Sequence, residues 1–252
     1  MNRGITAEIA DFKLDGLHQF DLAQTKVLQH IEKTYKLLLA HGIVCKPFSV
    51  TALQKLLQVT EPEKLKSMME NFASTVELLE EIIPTEDEEP YEKEITALKN
   101  GLSKLRLRVD DEFWTHLQKG DVIEVYGADM VQRHRSFNFY QKTSYSLLDL
   151  TVHEWYLLWE RSEKVLKELL PLTADIMSGK GTPGRCHLPP HLVREVFNSG
   201  VTEPFEPQVL AVNFKYIFPL YRSVSSKVEG FVITSTCNLV STGQDVHGLA
   251  MI

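Results

Sequence analysis

Two long alternating runs late in the sequence constrain the fold most: Val209–Tyr221 (VLAVNFKYIFPLY) and Gly230–Leu239 (GFVITSTCNL). Both are rich in β-branched and aromatic residues in a period-two pattern, which suits strands. The polar stretch Ser223–Glu229 between them suits a hairpin, so the runs are expected to pair antiparallel. Pro219 lacks a backbone donor and argues for an edge or a bulge near the end of the first run.

An earlier strand pair is needed to extend such a hairpin into a sheet. Asp121–Tyr126 (DVIEVY) alternates Val122, Glu124 and Tyr126 against Ile123 and Val125. Gly127–Asp129 can turn the chain, and Met130–Tyr140 is predicted to return as a second strand ending in FNFY. A helical block follows. It comprises a turn and short helix over Lys142–Leu150 with Ser146 as a possible cap, then a short helix over Val152–Arg161. A longer helix runs from Ser162, its cap, to Met177, with Pro171 expected to kink it or delay its start. After the loop Ser178–Gly184, HLVREVFNS reads as a helix opened by Pro189 and Pro190 and stopped by Gly200.

The N-terminal part is predicted to be helical from Asp21 on, residues 1–20 having only weak periodicity. Leu22, Leu28, Ile31, Tyr35 and Leu38 recur at helical spacing until Gly42. Ser49 opens a second helix with Val50, Leu53, Leu56 and Leu57 as its stripe. Thr60 and Glu63 form a capping box for a third, which runs to about Ile83 with Pro62 in its first turn. The acidic PTEDEEP stretch is a solvated loop, and a fourth helix covers Tyr91–Leu105. A short helix, DEFWTHLQK, begins at Asp110 or Asp111. Strands grouped around a block of helices mean α+β with an antiparallel sheet. We expect a helical bundle over 1–108 followed by an α+β domain over 109–252. The seam Leu28, Ile31, Tyr35, Leu38 is the candidate surface for a homodimer.

Charge narrows the partners. The net charge is −7, with 14 Lys and Arg against 17 Asp and Glu up to Arg108 and 13 against 17 beyond it. Neither half is basic, so an obligate nucleic-acid partner is not expected. The helix pair over 49–80 has a helix-turn-helix outline, but its second helix is acidic where a recognition helix should be basic. No apolar run is long enough to span a membrane, and the first residues form no secretory h-region. Cys45, Cys186 and Cys237 suit reduced thiols in a cytoplasmic protein.

Residue constellations for chemistry are weak. Cys186, His187 and His191 have a metal-like spacing, but the prolines between the histidines break it and no further ligand motif accompanies them. The loop SGKGT lacks the spacing of a phosphate-binding loop, and no GxSxG motif is present. Asp121–Arg161 holds the densest aromatic cluster, seven aromatics within 23 positions. Tyr140, Tyr145, Trp155, Trp159 and Tyr216 are the candidates to line a pocket for a small apolar or planar ligand. Their alternative is ordinary core packing.

Two stretches carry a family resemblance. Thr143-Ser144-Tyr145-Ser146-Leu147-Leu148-Asp149-Leu150 is similar to a turn into a short helix written Gly-Tyr followed by Ser-x-x-Glu-Leu, with Ser144 for the glycine and Asp149 for the glutamate. The hairpin from Phe218 to Tyr221 and from Val228 to Val232, with Gly230 before its last strand, is the second. On these, residues 121–240 resemble a PAS-like sensor domain. The resemblance implies two N-terminal strands, a helical middle and a sheet closed by long C-terminal strands. It also implies a non-enzymatic signalling module that relays ligand or protein binding to another protein. The alternatives are a small-molecule or haem sensor, with haem held through His153 or His187, and a transcription regulator using helices 49–80. No other cofactor is expected.

Overall fold

A computed structural model describes residues 22–40, 61–81, 90–140, 142–145, 149–150, 153–196 and 206–242. The helix predicted from Ser49, the acidic PTEDEEP stretch before Pro90, the Thr60 cap and Cys45 lie outside the described residues.

Three long helices come first: α1 (Leu22–Ala40), α2 (Pro62–Glu81) and α3 (Pro90–Lys104). Of the stripe predicted on α1, Leu28, Ile31, Tyr35 and Leu38 are buried, and α2 lies between α1 and α3. One expectation changes here. Leu28, Ile31, Tyr35 and Leu38 are buried inside the chain, in one core cluster with Leu65, Met68 and Phe72 of α2. The seam assigned to a homodimer is therefore already occupied, because α1 spends its apolar face on α2.

Next come β1 (Leu107–Arg108), the short α4 (Asp111–Thr115), β2 (Val122–Gly127), β3 (Gln132–Arg135), α5 (Phe137–Tyr140), α6 (Trp155–Leu158) and β4 (Trp159–Glu160). The chain continues through α7 (Glu163–Met177), β5 (Gly184–Arg185), β6 (His191–Glu195), β7 (Gln208–Arg222) and β8 (Val228–Thr242). The strands form one antiparallel sheet in the order β3-β2-β8-β7-β6-β4, with β1 and β5 also pairing β7. The predicted hairpin is its spine. Bulges between Val209 and Leu210, Phe214 and Tyr216, and Leu220 and Tyr221 interrupt the β7–β8 register. Each adds local bend and twist, and the sheet curls into a half-barrel. Pro219 sits between the residues paired to β5 and those paired to β1, where β7 has no strand on that flank among the described residues. Its missing N–H is tolerated there.

Three predicted elements differ. FNFY is the helical turn α5, not the end of a strand. The β2–β3 ladder closes at Ser136, which donates N–H to Ile123 O (2.8 Å) and accepts Ile123 N–H on Oγ (2.9 Å). Phe137 N–H then donates to the Glu94 carboxyl of α3 at 2.7 Å, which turns the chain away. The predicted helix over Val152–Arg161 contracts to the four residues of α6, because Trp159 and Glu160 pair with β6. HLVRE is strand β6, registered against Val209–Val212 of β7. In α7 the expected cap forms, Ser162 Oγ accepting Val165 N–H at 3.3 Å. Pro171 lies inside that helix on its exposed side, where water can serve the unpaired carbonyl.

Both faces of the sheet are covered. Its outer face packs Ile123, Val125, Phe218, Leu220 and Val232 on α3 and α4 through Leu98, Leu102 and Phe113. The inner face packs on α6 and α7 through residues that include Trp155, Leu158, Leu169 and Ile176. Gly230 is required where β8 meets β2: a Cβ there would come within 2.1 Å of Tyr126 O.

Candidate functional site

The alternation of β2 places Glu124 and Tyr126 on the inner face, and β3 adds Gln132 opposite Tyr126 and Arg135 opposite Glu124. The Glu124 carboxyl accepts from Tyr126 OH at 2.5 Å and from Gln132 Nε2 at 2.7 Å. Burial pushes Glu124 above its ordinary value. The two hydrogen bonds and the guanidiniums of Arg135 and Arg161 pull it back down. Burial also raises Tyr126, and the neighbouring Glu124 adds to that rise.

Arg161 follows β4 and turns its guanidinium under the sheet. The residue is only partly buried, but its Nε is sealed from solvent without a hydrogen-bond partner. The guanidinium lies over the Trp155 ring, 5.0 Å from its centroid, and Nη1 reaches Trp159 O at a long 3.4 Å. Burial lowers Arg161 to about 10, against the pull of Tyr126 and Glu124, so it is charged at neutral pH. The Trp155 indole N–H is likewise buried and unpartnered. Glu124, Tyr126, Trp155 and Arg161 line, with apolar side chains of β6, β7 and β8, a partly open cavity of about 30 Å³. That holds about two waters.

The five aromatics predicted to line a pocket separate into three sets. Trp155 and Trp159 line the cavity. Tyr145 and Tyr140 stand behind its wall. Tyr145 packs edge-on against Trp159 at 5.4 Å, donates to Leu158 O and accepts Val196 N–H at 2.7 Å, fastening α6 to the end of β6. The Tyr140 ring lies under Arg135, whose guanidinium is 5.4 Å from its centroid. Tyr216 is on the other side of the sheet, stacked on His116 of the α4 segment at 4.2 Å. The bulge between Phe214 and Tyr216 is the reason: Phe214 faces the cavity, and one extra residue flips Tyr216 outward.

Sequence reasoning missed Glu124, Tyr126, Arg161, Thr173 and Cys237 as cavity residues. A glutamate in an alternating strand reads as a solvent face, and an arginine closing WYLLWER reads as a helix end. The available signal was that both charges sit inside the aromatic-rich stretch.

The other constellations do not assemble. Cys186 and Leu188 are buried while His187 between them is exposed, so Cys186 and His187 point apart. His191 packs on Phe214 at 5.5 Å, with Nδ1 at 3.1 Å from Pro189 O. Among the described residues no group of three His, Cys, Asp or Glu is placed to hold a metal. Neither His153 nor His187 lines the cavity, and two waters' worth of space does not fit a haem. Burial pushes both the Cys186 and Cys237 thiols up to about 12, which makes them poor nucleophiles. The SGKGT loop leads into β5 rather than a helix. No helix among the described residues is long and apolar enough to cross a membrane.

No family model matches the chain, and no curated protein matches it.

Proposed function

We propose that residues 109–252 are a PAS-like sensory module of a non-enzymatic signalling protein, with the helices of 1–108 as its output. A small, mostly apolar ligand enters the cavity between the curled sheet and α6–α7. The occupied state is then read by a partner protein at the N-terminal helices.

The observation that carries this reading is the position of β3. Its Gln132 belongs to the cavity cluster with Glu124 and Tyr126. The next residue, Arg133, places its carbonyl 3.2 Å from Thr75 Oγ1 of α2, whose single hydroxyl proton it shares with Asn71 O at 2.9 Å. Two residues past the strand, Phe137 N–H is held by Glu94 of α3. A displacement of β3 by a ligand therefore acts on α2 and α3 through direct hydrogen bonds. A shift of this kind needs a ligand with different affinity for two arrangements, and the hydrogen bonds at both ends of β3 supply groups whose geometry can differ between them. The order of elements also supports the resemblance: two strands, a helical middle, and two long strands that complete one antiparallel sheet.

The test pairs native mass spectrometry against a library of small apolar compounds with hydrogen exchange. A bound compound should quench or shift the emission of Trp155 and Trp159 and slow exchange in both β3 and α2. Binding that leaves α2 unchanged would remove the relay, and a library without a binder would remove the sensor.

A further inference from the structure

We infer that the ligand of this cavity is an apolar monocarboxylic acid, with its carboxylate held by the Arg161 guanidinium and the Trp155 indole N–H. The inference rests on the sensory reading above and specifies its ligand.

The chemistry of the wall is lopsided. Glu124, its carboxyl, is served by Tyr126 and Gln132 from its own hairpin. Among the described residues no carboxylate forms an ion pair with the Arg161 guanidinium, which feels Glu124 only at longer range, and its Nε is without an acceptor. Beside it the Trp155 N–H is also without an acceptor. Both residues line the cavity on one side, since the guanidinium lies over the same indole, and their two unpartnered donors, one of them cationic, stand just behind its surface. Buried donors are ordinarily satisfied, and a buried cation is ordinarily paired. A carboxylate supplies what both lack, because it accepts from several donors at once and carries the opposite charge.

The rest of the wall selects the body of the molecule. Leu169, Val193, Leu210, Val212, Phe231 and Ile233 are hydrocarbon, and of the polar groups among them the Thr173 hydroxyl is given to Leu170 O and the Cys237 thiol lies against Ser235 Oγ. That surface offers nothing to the remaining oxygens of a phosphate or to a second carboxylate, and it favours an aliphatic or aromatic body. The present space holds about two waters, so a head group reaches both donors only as the wall opens. A longer ligand displaces wall side chains, which is the event that moves the β2–β3 hairpin. The competing account is a water-bridged pair between Arg161 and Glu124 with no ligand at all.

The experiment compares hexanoate, benzoate, hexanol and hexylamine on the intact protein by tryptophan emission and calorimetry. It uses wild type, Arg161→Lys and Arg161→Met. The acids should bind wild type about tenfold or more tighter than hexanol, the size of a charge-assisted hydrogen bond. Arg161→Lys should keep part of that preference and Arg161→Met should lose it. Hexanol binding as tightly as hexanoate overturns the acid and leaves the sensor standing. If none of the four compounds changes wild-type emission, the water-bridged pair is correct and both readings fall. Should either variant fail to fold, the wild-type comparison of acid with alcohol decides.

Discussion

On β2, Ile123 and Val125 face α3 and α4, while Glu124 and Tyr126 face α6 and α7. Both sets are buried, and they come from the same six residues. The outer set meets only hydrocarbon: Phe113, Phe218, Leu220 and Val232 close over it. The inner set meets charge, with Arg135 and Arg161 near Glu124. Burying the outer side chains stabilises the fold by about 1.5–3 kcal/mol each. Burying an ion without a matched partner costs several kcal/mol. A chain under selection for stability alone has no reason to treat the two faces so differently. The outer face holds the sheet, and in the proposed reading the inner face gives up part of that stability for recognition.

The comparison can be broken first at Phe218, which packs edge-on against Phe113 at 5.7 Å in the outer cluster. Phe218→Ala should lower unfolding stability by about 3–5 kcal/mol, read from urea denaturation. A loss below about 1 kcal/mol would mean that the outer face collapses around the cavity and is not the anchor.

Glu94 tests the junction between the two faces. It lies on α3, whose Leu98 and Leu102 belong to the outer cluster, yet it holds α5. Burial pushes its carboxyl up to about 8, although the Phe137 N–H pulls the other way. The unfolded chain ionises this group near 4.5. Between these values the unfolded state gives up a proton that the folded state keeps. The stabilisation is thus complete below the lower value and is lost as pH rises through the window, at most about 1.4 kcal/mol per pH unit. Glu94→Gln keeps an acceptor for Phe137 and should flatten that slope, leaving the variant more stable than wild type at pH near 8. Parallel melting curves for the two proteins across the window would show that Glu94 is ionised in the fold.

The smallest effect belongs to the surface. Lys33 and Glu80 pair across α1 and α2 at 2.5 Å, both about half exposed. Lys33→Ala should change stability by under about 0.5 kcal/mol, with little dependence on salt. A larger loss would mean that α1 relies on charge rather than on its apolar seam.

What could be read from the sequence follows from how local each signal is. The hairpin, β2 and the three long helices announce themselves, since their periodicities agree with their burial. HLVRE did not, because nothing in five residues reveals that Leu210 and Val212 will lie alongside and make a strand of them. FNFY has strand composition and turns into a helix through a carboxyl that sits 43 residues earlier. Trp155 and Trp159 were legible as cavity residues because large aromatics gather around pockets. Tyr216 was misplaced because a bulge carries no sequence signature there, and one extra residue reverses everything after it. Glu124 and Arg161 were illegible for the opposite reason: their chemistry normally marks solvent.

The pairing of β2 with β8 has a consequence for how the chain is made. Val122 and Val228 are 106 positions apart, and synthesis at about 5–20 residues per second leaves β2 waiting roughly 5–20 s for its neighbour. During that interval VIEVY is an adhesive segment of high β-propensity. Glu124, an ordinary ionised carboxylate in the nascent chain, interrupts it with a charge of the kind that keeps such segments from sticking to one another. The same side chain that is costly inside the finished sheet is a chaperone for its own strand beforehand.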